Sequence, residues 1–174
     1  MKLSILVALA LGLGLGAAAC NGASADDSSP PVSFAADPEA DGPVVFLRGR
    51  PERDRVYVDV LARGVTEVHG TAFRMSWDPE ALAFVEARAS ETWSSSAILL
   101  AKEPIPGQLA VAWSEKGESA GHDASLPVLL GTLVFDAKGR RGTSLAFRAE
   151  RSTVVDRRGS AAIVAWRAGS IPAR

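Results

Sequence analysis

The strongest constraint on the fold is a period of two in the apolar residues of short segments that end at turn-forming residues. In Gln108–Ser114 this alternation places Leu109, Val111 and Trp113 on one side of an extended chain, with smaller or polar residues on the other. Beyond residue 20, no window shows the spacing of about 3.6 residues that an amphipathic helix requires. The chain is therefore predicted to be all-β.

Short strands at this spacing are typical of a β-sandwich, and the length fits one domain after a leader is removed. Glycine and proline punctuate the segments; Gly49 and Pro51, for example, are expected to end the first strand. The predicted strands are Val44–Leu47, Arg55–Ala62, Gly70–Trp77, Leu82–Arg88, Ala97–Lys102, Gln108–Ser114, Val128–Asp136, Thr143–Ala149 and Ala161–Trp166.

The N-terminus has the layout of a secretory signal peptide. Lys2 supplies a positive charge, Leu3–Leu15 is apolar, and Gly16–Ala19 supplies small residues before Cys20. The apolar run is too short to cross a bilayer core of about 30 Å comfortably. Residues 1–19 are therefore predicted to be a signal peptide on an exported protein.

Cys20 is the only cysteine, so no disulfide within the chain is possible. Small residues directly before it resemble a bacterial lipobox, although Ala17 stands where leucine is usual. The resemblance implies acylation of Cys20 and a cell-envelope lipoprotein, with Asn21 favouring the outer membrane or cell surface. Ala23–Ala25 offers an alternative, an A-x-A site for cleavage after Ala25 without acylation.

Residues 20–42 are rich in Ala, Ser, Asp, Pro and Gly and show no periodicity. This composition predicts a flexible tether between the acylated cysteine and a folded body over residues 43–174. The sequence predicts contact with the membrane through the acyl anchor alone.

The charges exclude one class of partner. Lys and Arg number 19 and Asp and Glu number 20, for a net charge of −1, and no long run carries a single sign. A nucleic-acid-binding domain is expected to carry a basic footprint, so nucleic acid is not a predicted partner.

No catalytic constellation is recognisable. The two histidines, His69 and His122, lie outside any serine-hydrolase signature and are expected to be solvated loop residues. Two histidines without a neighbouring cysteine also make a poor zinc set. Glu115 and Glu118 flank an expected hairpin tip, and the sequence alone does not pair them in a groove. The chain is predicted not to be an enzyme and to need no cofactor or metal.

The four tryptophans divide by position. Trp77 and Trp113 share the parity of core residues, so both are predicted to be buried. Trp93 lies in a polar loop and Trp166 near the last strand, and both are candidates for stacking on sugar rings. A polysaccharide-binding module is therefore an alternative function.

The order of motifs resembles that of cohesin domains and related carbohydrate-binding-module-like jelly rolls. In Val56–Val85 a valine-rich strand is followed by a loop, a glycine that opens a strand, and an aromatic-Asp-Pro ending, with Trp77 where the family has tyrosine. The resemblance extends from Val44 to Ile171. Its marks are Gly70, Phe73, Trp77, Asp78, Pro79, Leu82, Phe84, Gly131–Phe135, Gly142–Leu145, Asp156, Gly159 and Gly169–Ile171.

The resemblance implies a single jelly-roll β-sandwich of about nine strands that recognises an extracellular, dockerin-like protein through one sheet face. Calcium in such complexes belongs to the partner, so no metal site is implied here. A structural envelope lipoprotein without a specific ligand remains a further alternative. The outward residues implied to contact a partner are Arg74, Ser76, Gln108, Ala110, Ala112, Ser114 and Arg148.

Overall fold

The structure is a computed structural model that describes residues 31–174; the predicted signal peptide, Cys20 and residues 21–30 lie outside the described part. The described residues form fifteen strands and one 3₁₀ turn, Ala149–Arg151. The strands are β1 (Ala35–Ala36), β2 (Val44–Glu52), β3 (Arg55–Arg63), β4 (Val65–Val68), β5 (Gly70–Ser76), β6 (Leu82–Ala89), β7 (Ile98–Ile105), β8 (Gln108–Ser114), β9 (His122–Ala124), β10 (Val128–Ala137), β11 (Thr143–Phe147), β12 (Thr153–Val155), β13 (Ala161–Ala162), β14 (Ala165–Arg167) and β15 (Gly169–Ile171).

Two sheets face each other. The front sheet contains β7, β8 and β5 in that order, and the other edge of β5 pairs with β12 near its start and with β11 near its end. Beyond β11 lie β15 and β1, and β13 pairs with β12. The back sheet has the order β14-β2-β3-β10-β6, in which only the β14–β2 pair is parallel. The prediction of an all-β sandwich is confirmed.

The core lies between the sheets, where alternate residues of each strand meet. From the front sheet, Val111 and Trp113 are 3% and 1% exposed; from the back sheet, Val58 and Val60 are completely buried. Phe73 packs edge-on against Trp113 with ring centroids 5.6 Å apart. Burial of each large apolar side chain contributes about 1.5–3 kcal/mol, which lets the described domain hold together without a disulfide.

Each of the nine predicted segments contains a strand. The first is longer than predicted, since β2 continues through Gly49 and Pro51 to Glu52 and pairs with β3 along its whole length. Glycine does not end the strand; it makes room for Phe34, because a Cβ at Gly49 would lie 2.1 Å from the Phe34 ring. Ala161–Trp166 splits into β13 and β14, on different sheets.

Five strands carry no clear signal in the sequence. β1, β4, β9, β12 and β15 are two to four residues long, which is too short for alternation to be recognised. Their pairing partners are remote, as in the β1–β15 and β4–β9 pairs, so their formation depends on the assembled sandwich.

The described part of the predicted tether is not free of the domain, which corrects the boundary at residue 43. Val32 is 2% exposed in the core, and Phe34 packs against core residues. Ala35 and Ala36 pair with β15, and the backbone N–H of Asp37 donates to the carbonyl oxygen of Ala168 at 3.0 Å. The composition of this segment is mostly polar, and only the side chains of Val32 and Phe34 pack against the core, so the sequence did not predict its docking.

The aromatic-Asp-Pro mark forms the turn from β5 to β6. Trp77 is 7% exposed, and its Nε1 donates to the carbonyl oxygen of Leu82 at 3.0 Å. The Asp78 carboxylate accepts from the Glu80 N–H at 2.9 Å. Burial of Trp77 and Trp113 agrees with the prediction. Of the described residues, none form a helix long and apolar enough to cross a membrane.

Candidate protein-binding face

The candidate site is the outer surface of β7, β8 and β5, which we call the front face. Antiparallel register places Ala110 of β8 between Arg74 of β5 and Lys102 of β7. One step along, Ala112 lies between Ala72 and Leu100. Side chains directly opposite one another share a face, so all of these point outward.

The seven residues predicted to contact a partner are brought together here. Arg74 and Ser76 lie on β5 opposite Ala110 and Gln108, and β8 alternates between buried core residues and half-exposed outer ones. Ala112 and Ser114 complete the outer side of β8. Arg148 follows β11, and its N–H donates to the carbonyl oxygen of Arg74 at 2.8 Å. Their role in binding stays a prediction.

Small side chains on β8 leave a shallow trough along the middle of the front face. Ala110 and Ala112 form its floor, Leu100 and Pro104 line one side, and Arg74 lines the other. The depression has a volume of about 480 Å³. A floor of alanines between longer side chains leaves room for a convex, extended segment of a partner.

Sequence reasoning missed the contribution of β7. Ile98 and Leu100 are each 56% exposed, and they add two large aliphatic side chains to the edge of the front face. Lys102 and, from the 3₁₀ turn, Arg151 also line the trough. The predicted strand at 97–102 contained this signal, but only the register with β8 shows which of its side chains share the front face.

The front face is basic. Within residues 31–174, no carboxylate is paired with the side chains of Arg74, Lys102, Arg148 or Arg151. Neighbouring cations without counter-charges raise the local positive potential even though the whole chain is slightly acidic.

A second polar cluster lies between β8, β9 and the loop that contains Ser94. The Glu115 carboxylate is 4% exposed and accepts from the Ser94 N–H and from His122 Nε2, each at 2.8 Å, as well as from the Ser94 hydroxyl. Burial is the largest influence and raises the pKa of Glu115. The hydrogen bonds from Ser94 and His122, with the charge of His122, together outweigh burial and hold that pKa below its ordinary value.

The two histidines are less exposed than expected, and the Glu115 cluster does not form a catalytic triad. His122 was expected in a solvated loop, but it lies in β9 and its side chain is 23% exposed against Glu115. His69 is also half-buried, and its Nδ1 is shielded from solvent without a hydrogen-bond partner among the described residues. The Ser94 hydroxyl donates to Glu115, so the cluster lacks the serine–histidine pair that nucleophilic catalysis needs.

The two tryptophans proposed for sugar stacking both pack against the core. Trp93 is 6% exposed, its Nε1 donates to the carbonyl oxygen of Leu130 at 2.6 Å, and its ring meets His122 edge-on. Trp166 packs in the aromatic cluster with Phe147, with centroids 5.0 Å apart. The expectation that Trp93 is exposed for sugar stacking is wrong, because its ring is buried. Trp166 is half-buried against the core, and its role in sugar binding stays a prediction.

The outer surface of the back sheet carries a salt-bridge cluster. Asp59 is 2% exposed and accepts from Arg50 at 3.1 Å and from the Thr132 hydroxyl at 2.8 Å, with Arg48 at 3.4 Å. Burial raises the pKa of Asp59, but these hydrogen bonds and the Arg50 charge outweigh it and hold the pKa below its ordinary value. Arg50 also lies over the Tyr57 ring, 5.6 Å from its centroid. Both arginines here have a carboxylate partner, in contrast to the cations of the front face.

Within residues 31–174, no group of three or more histidine, cysteine or carboxylate side chains is arranged to hold a metal ion.

Comparison with known proteins identifies the fold. No family model matches the sequence, and no curated protein matches it. Solved structures do match. One is the second type II cohesin of the adaptor scaffoldin of Acetivibrio cellulolyticus, which is 14% identical to this chain. The two structures superpose with a TM-score of 0.62, and the match covers 78% of this chain and 93% of the cohesin.

Two further cohesins agree. The sixth cohesin of scaffoldin B from Acetivibrio cellulolyticus, solved in complex with a Cel5 dockerin mutant, has a TM-score of 0.61 and 14% identity over 83% of this chain and 100% of its own. A cohesin from Clostridium acetobutylicum, solved in solution, has a TM-score of 0.59 and 16% identity, and the match covers 76% of this chain and 91% of the cohesin. The sequence resemblance is thereby confirmed for the fold, and the described domain is a β-sandwich of the cohesin type.

Proposed function

We propose that the protein is a non-catalytic binding module of the cell envelope that recognises a dockerin-like protein through the front face. The observation that carries this proposal is the trough along β8, where exposed Leu100 adjoins the alanine floor of Ala110 and Ala112. Its fold likeness to cohesins solved with dockerins supports the same partner class.

The dimensions of the trough suit a helix. Adjacent strands lie about 4.8 Å apart, so β7 and β5 are separated by about 10 Å across β8. An α-helix with its side chains is about 10–12 Å wide. The alanines let a helix come close to the sheet, while Leu100 supplies apolar area at its side.

Attachment to the envelope is part of the proposal. The leader and the small residues before Cys20 support export and acylation, and residues 21–30 supply a short polar connection to the first described residues. The anchored domain would then present its front face to proteins outside the membrane.

The test is capture of exported proteins from the producing bacterium with the protein as bait. We compare the unchanged protein with Ala112→Arg, which fills the middle of the trough. The matched control is Ala83→Arg, because Ala83 is also half-buried and lies on the outer side of the back sheet. Each captured protein is identified by mass spectrometry and its binding is remeasured with purified components.

We expect a protein that binds the unchanged protein and Ala83→Arg and loses at least about tenfold in affinity with Ala112→Arg, or about 1.4 kcal/mol. Circular dichroism and thermal unfolding establish that both variants fold. Equal binding to all three proteins would contradict recognition through the front face.

A further inference from the structure

The charges around the trough are arranged on both of its sides. Lys102 of β7 lies on one side, and Arg74 of β5 with Arg151 of the 3₁₀ turn lies on the other. The backbone of Arg148 lies beside Arg74, since its N–H donates to the carbonyl oxygen of Arg74 at 2.8 Å. An occupant of the trough therefore meets positive charge along both flanks.

Acidic groups near the trough do not cancel this charge. Glu103 lies at the irregularity of β7 that follows Lys102, and its carboxylate accepts from the Gly107 N–H at 2.9 Å. Glu150 is exposed in the 3₁₀ turn beside Arg151. With both counted, the three cations that line the trough, Arg74, Lys102 and Arg151, still leave its margins net positive.

Desolvated like charges repel, whereas opposite charges across an interface raise the association rate and exclude unsuitable partners. The basic margins therefore select an occupant with acidic margins. The floor and Leu100 are aliphatic, and none of the residues that line the trough presents an exposed aromatic ring to stack on sugar or on a nucleobase. These features favour a protein helix over an acidic polysaccharide or a nucleic acid.

We propose that the partner presents an acidic helix to the trough, with an apolar stripe against Ala110 and Ala112 and carboxylates that pair with Lys102 on one side and with Arg74 and Arg151 on the other. This inference rests on the proposed function and adds the charge of the partner to it. Association through the front face is consequently sensitive to salt.

The test uses synthetic helical peptides as probes, so it needs no natural partner. One peptide has an alanine–leucine stripe with glutamate on both margins; the matched peptides carry lysine or glutamine at the same positions. Each is titrated into isotopically labelled protein while backbone amide shifts are followed by NMR, at about 50 mM and about 300 mM salt. Polygalacturonate is titrated separately as an acidic polysaccharide.

We expect the glutamate peptide to shift amides of β5, β7 and β8 and to bind at least about fivefold more weakly at the higher salt. The Arg74→Glu and Lys102→Glu variants each weaken it by a similar factor. The control Arg53→Glu makes the same charge change at the exposed β2–β3 turn and leaves binding unchanged. Equal or stronger binding of the lysine or glutamine peptide, shifts confined to other strands, or shifts with polygalacturonate alone would overturn the proposal.

The two proposals fail in different ways. A captured natural partner that requires Ala112 but ignores Arg74→Glu and salt would overturn the acidic helix and leave the front face in place. Capture that ignores Ala112→Arg would overturn the proposed function, while the peptide titration would still report the charge preference of the trough.

Discussion

Glu115 and His122 lie 2.8 Å apart, carboxylate oxygen to Nε2, and join the end of β8 to β9. Glu115 also holds Ser94, so one buried carboxylate fixes the loop that places Trp93 over the end of the core. Residues that resemble components of a hydrolase site are here used to close a sandwich.

Glu115→Gln should destabilise the fold by about 1–3 kcal/mol, because the amide has one acceptor oxygen where the carboxylate has two, so one of the Ser94 and His122 donors loses its partner. The free energy of unfolding from urea titration measures the loss. Glu118→Gln, at an exposed position of the same loop, should change stability by less than about 0.5 kcal/mol. Equal effects of the two variants would show that the Glu115 cluster does not stabilise the loop.

Stability should fall in acid. The folded protein lowers the pKa values of Glu115 and Asp59 from ordinary values of 4.5 and 3.8, so the unfolded chain binds protons more readily than the folded one. The stabilisation is therefore complete above these ordinary values and is lost as the pH falls below them. Unfolding free energies measured from pH 7 to pH 3 should decline less steeply in Glu115→Gln, and an unchanged slope would contradict the assignment.

Asp59→Asn should be more costly than removal of Arg48, the more distant of the two arginines that bind it. The aspartate is nearly completely buried and its loss removes acceptors from Arg50 and Thr132, at about 1–3 kcal/mol. Arg48→Gln removes an exposed side chain at 3.4 Å and should cost less than about 1 kcal/mol. Urea titration of both variants provides the measurement, and a larger loss for Arg48→Gln would be the contrary result.

Gly49→Ala should release the N-terminal segment without unfolding the core, because the added methyl group takes the place of the Phe34 ring. Hydrogen exchange should accelerate at residues 32–37 and stay slow in β3 and β8. Combining Gly49→Ala with Phe34→Ala removes the clash, so the double variant should unfold no more easily than Phe34→Ala alone. Protection of residues 32–37 that is unchanged in Gly49→Ala would contradict this account.

Cys20→Ser should release the exported protein from the membrane into the medium if the cysteine is acylated. The mature N-terminus of the unchanged protein, determined by mass spectrometry, should be an acylated Cys20. A mature chain that begins at Asp26, without acyl mass, would show instead that the Ala23–Ala25 site is used.

Periodicity alone predicts the front face in part. Alternation in Gln108–Ser114 fixes which side of β8 is outward, because side chains of a strand alternate whatever its neighbours are. It does not reveal that Leu100 and Lys102 stand beside Ala112 and Ala110, since that depends on the register of β7. The burial of Trp93 is not predictable from the sequence for a related reason. Its polar loop folds over the end of the core, and that end exists only once the two sheets have packed together.

The sequence by itself determined the all-β class, the nine main strands, the sides of β5 and β8 that face the core, and the solitary cysteine that rules out an internal disulfide. These properties are local or compositional, so they need no knowledge of which strand pairs with which. Tertiary structure alone decided the docking of residues 32–37 on β15, the burial of Glu115 and Asp59, and the basic trough along β8. Each of these depends on contacts between residues far apart in the chain, which are set by sheet order and register.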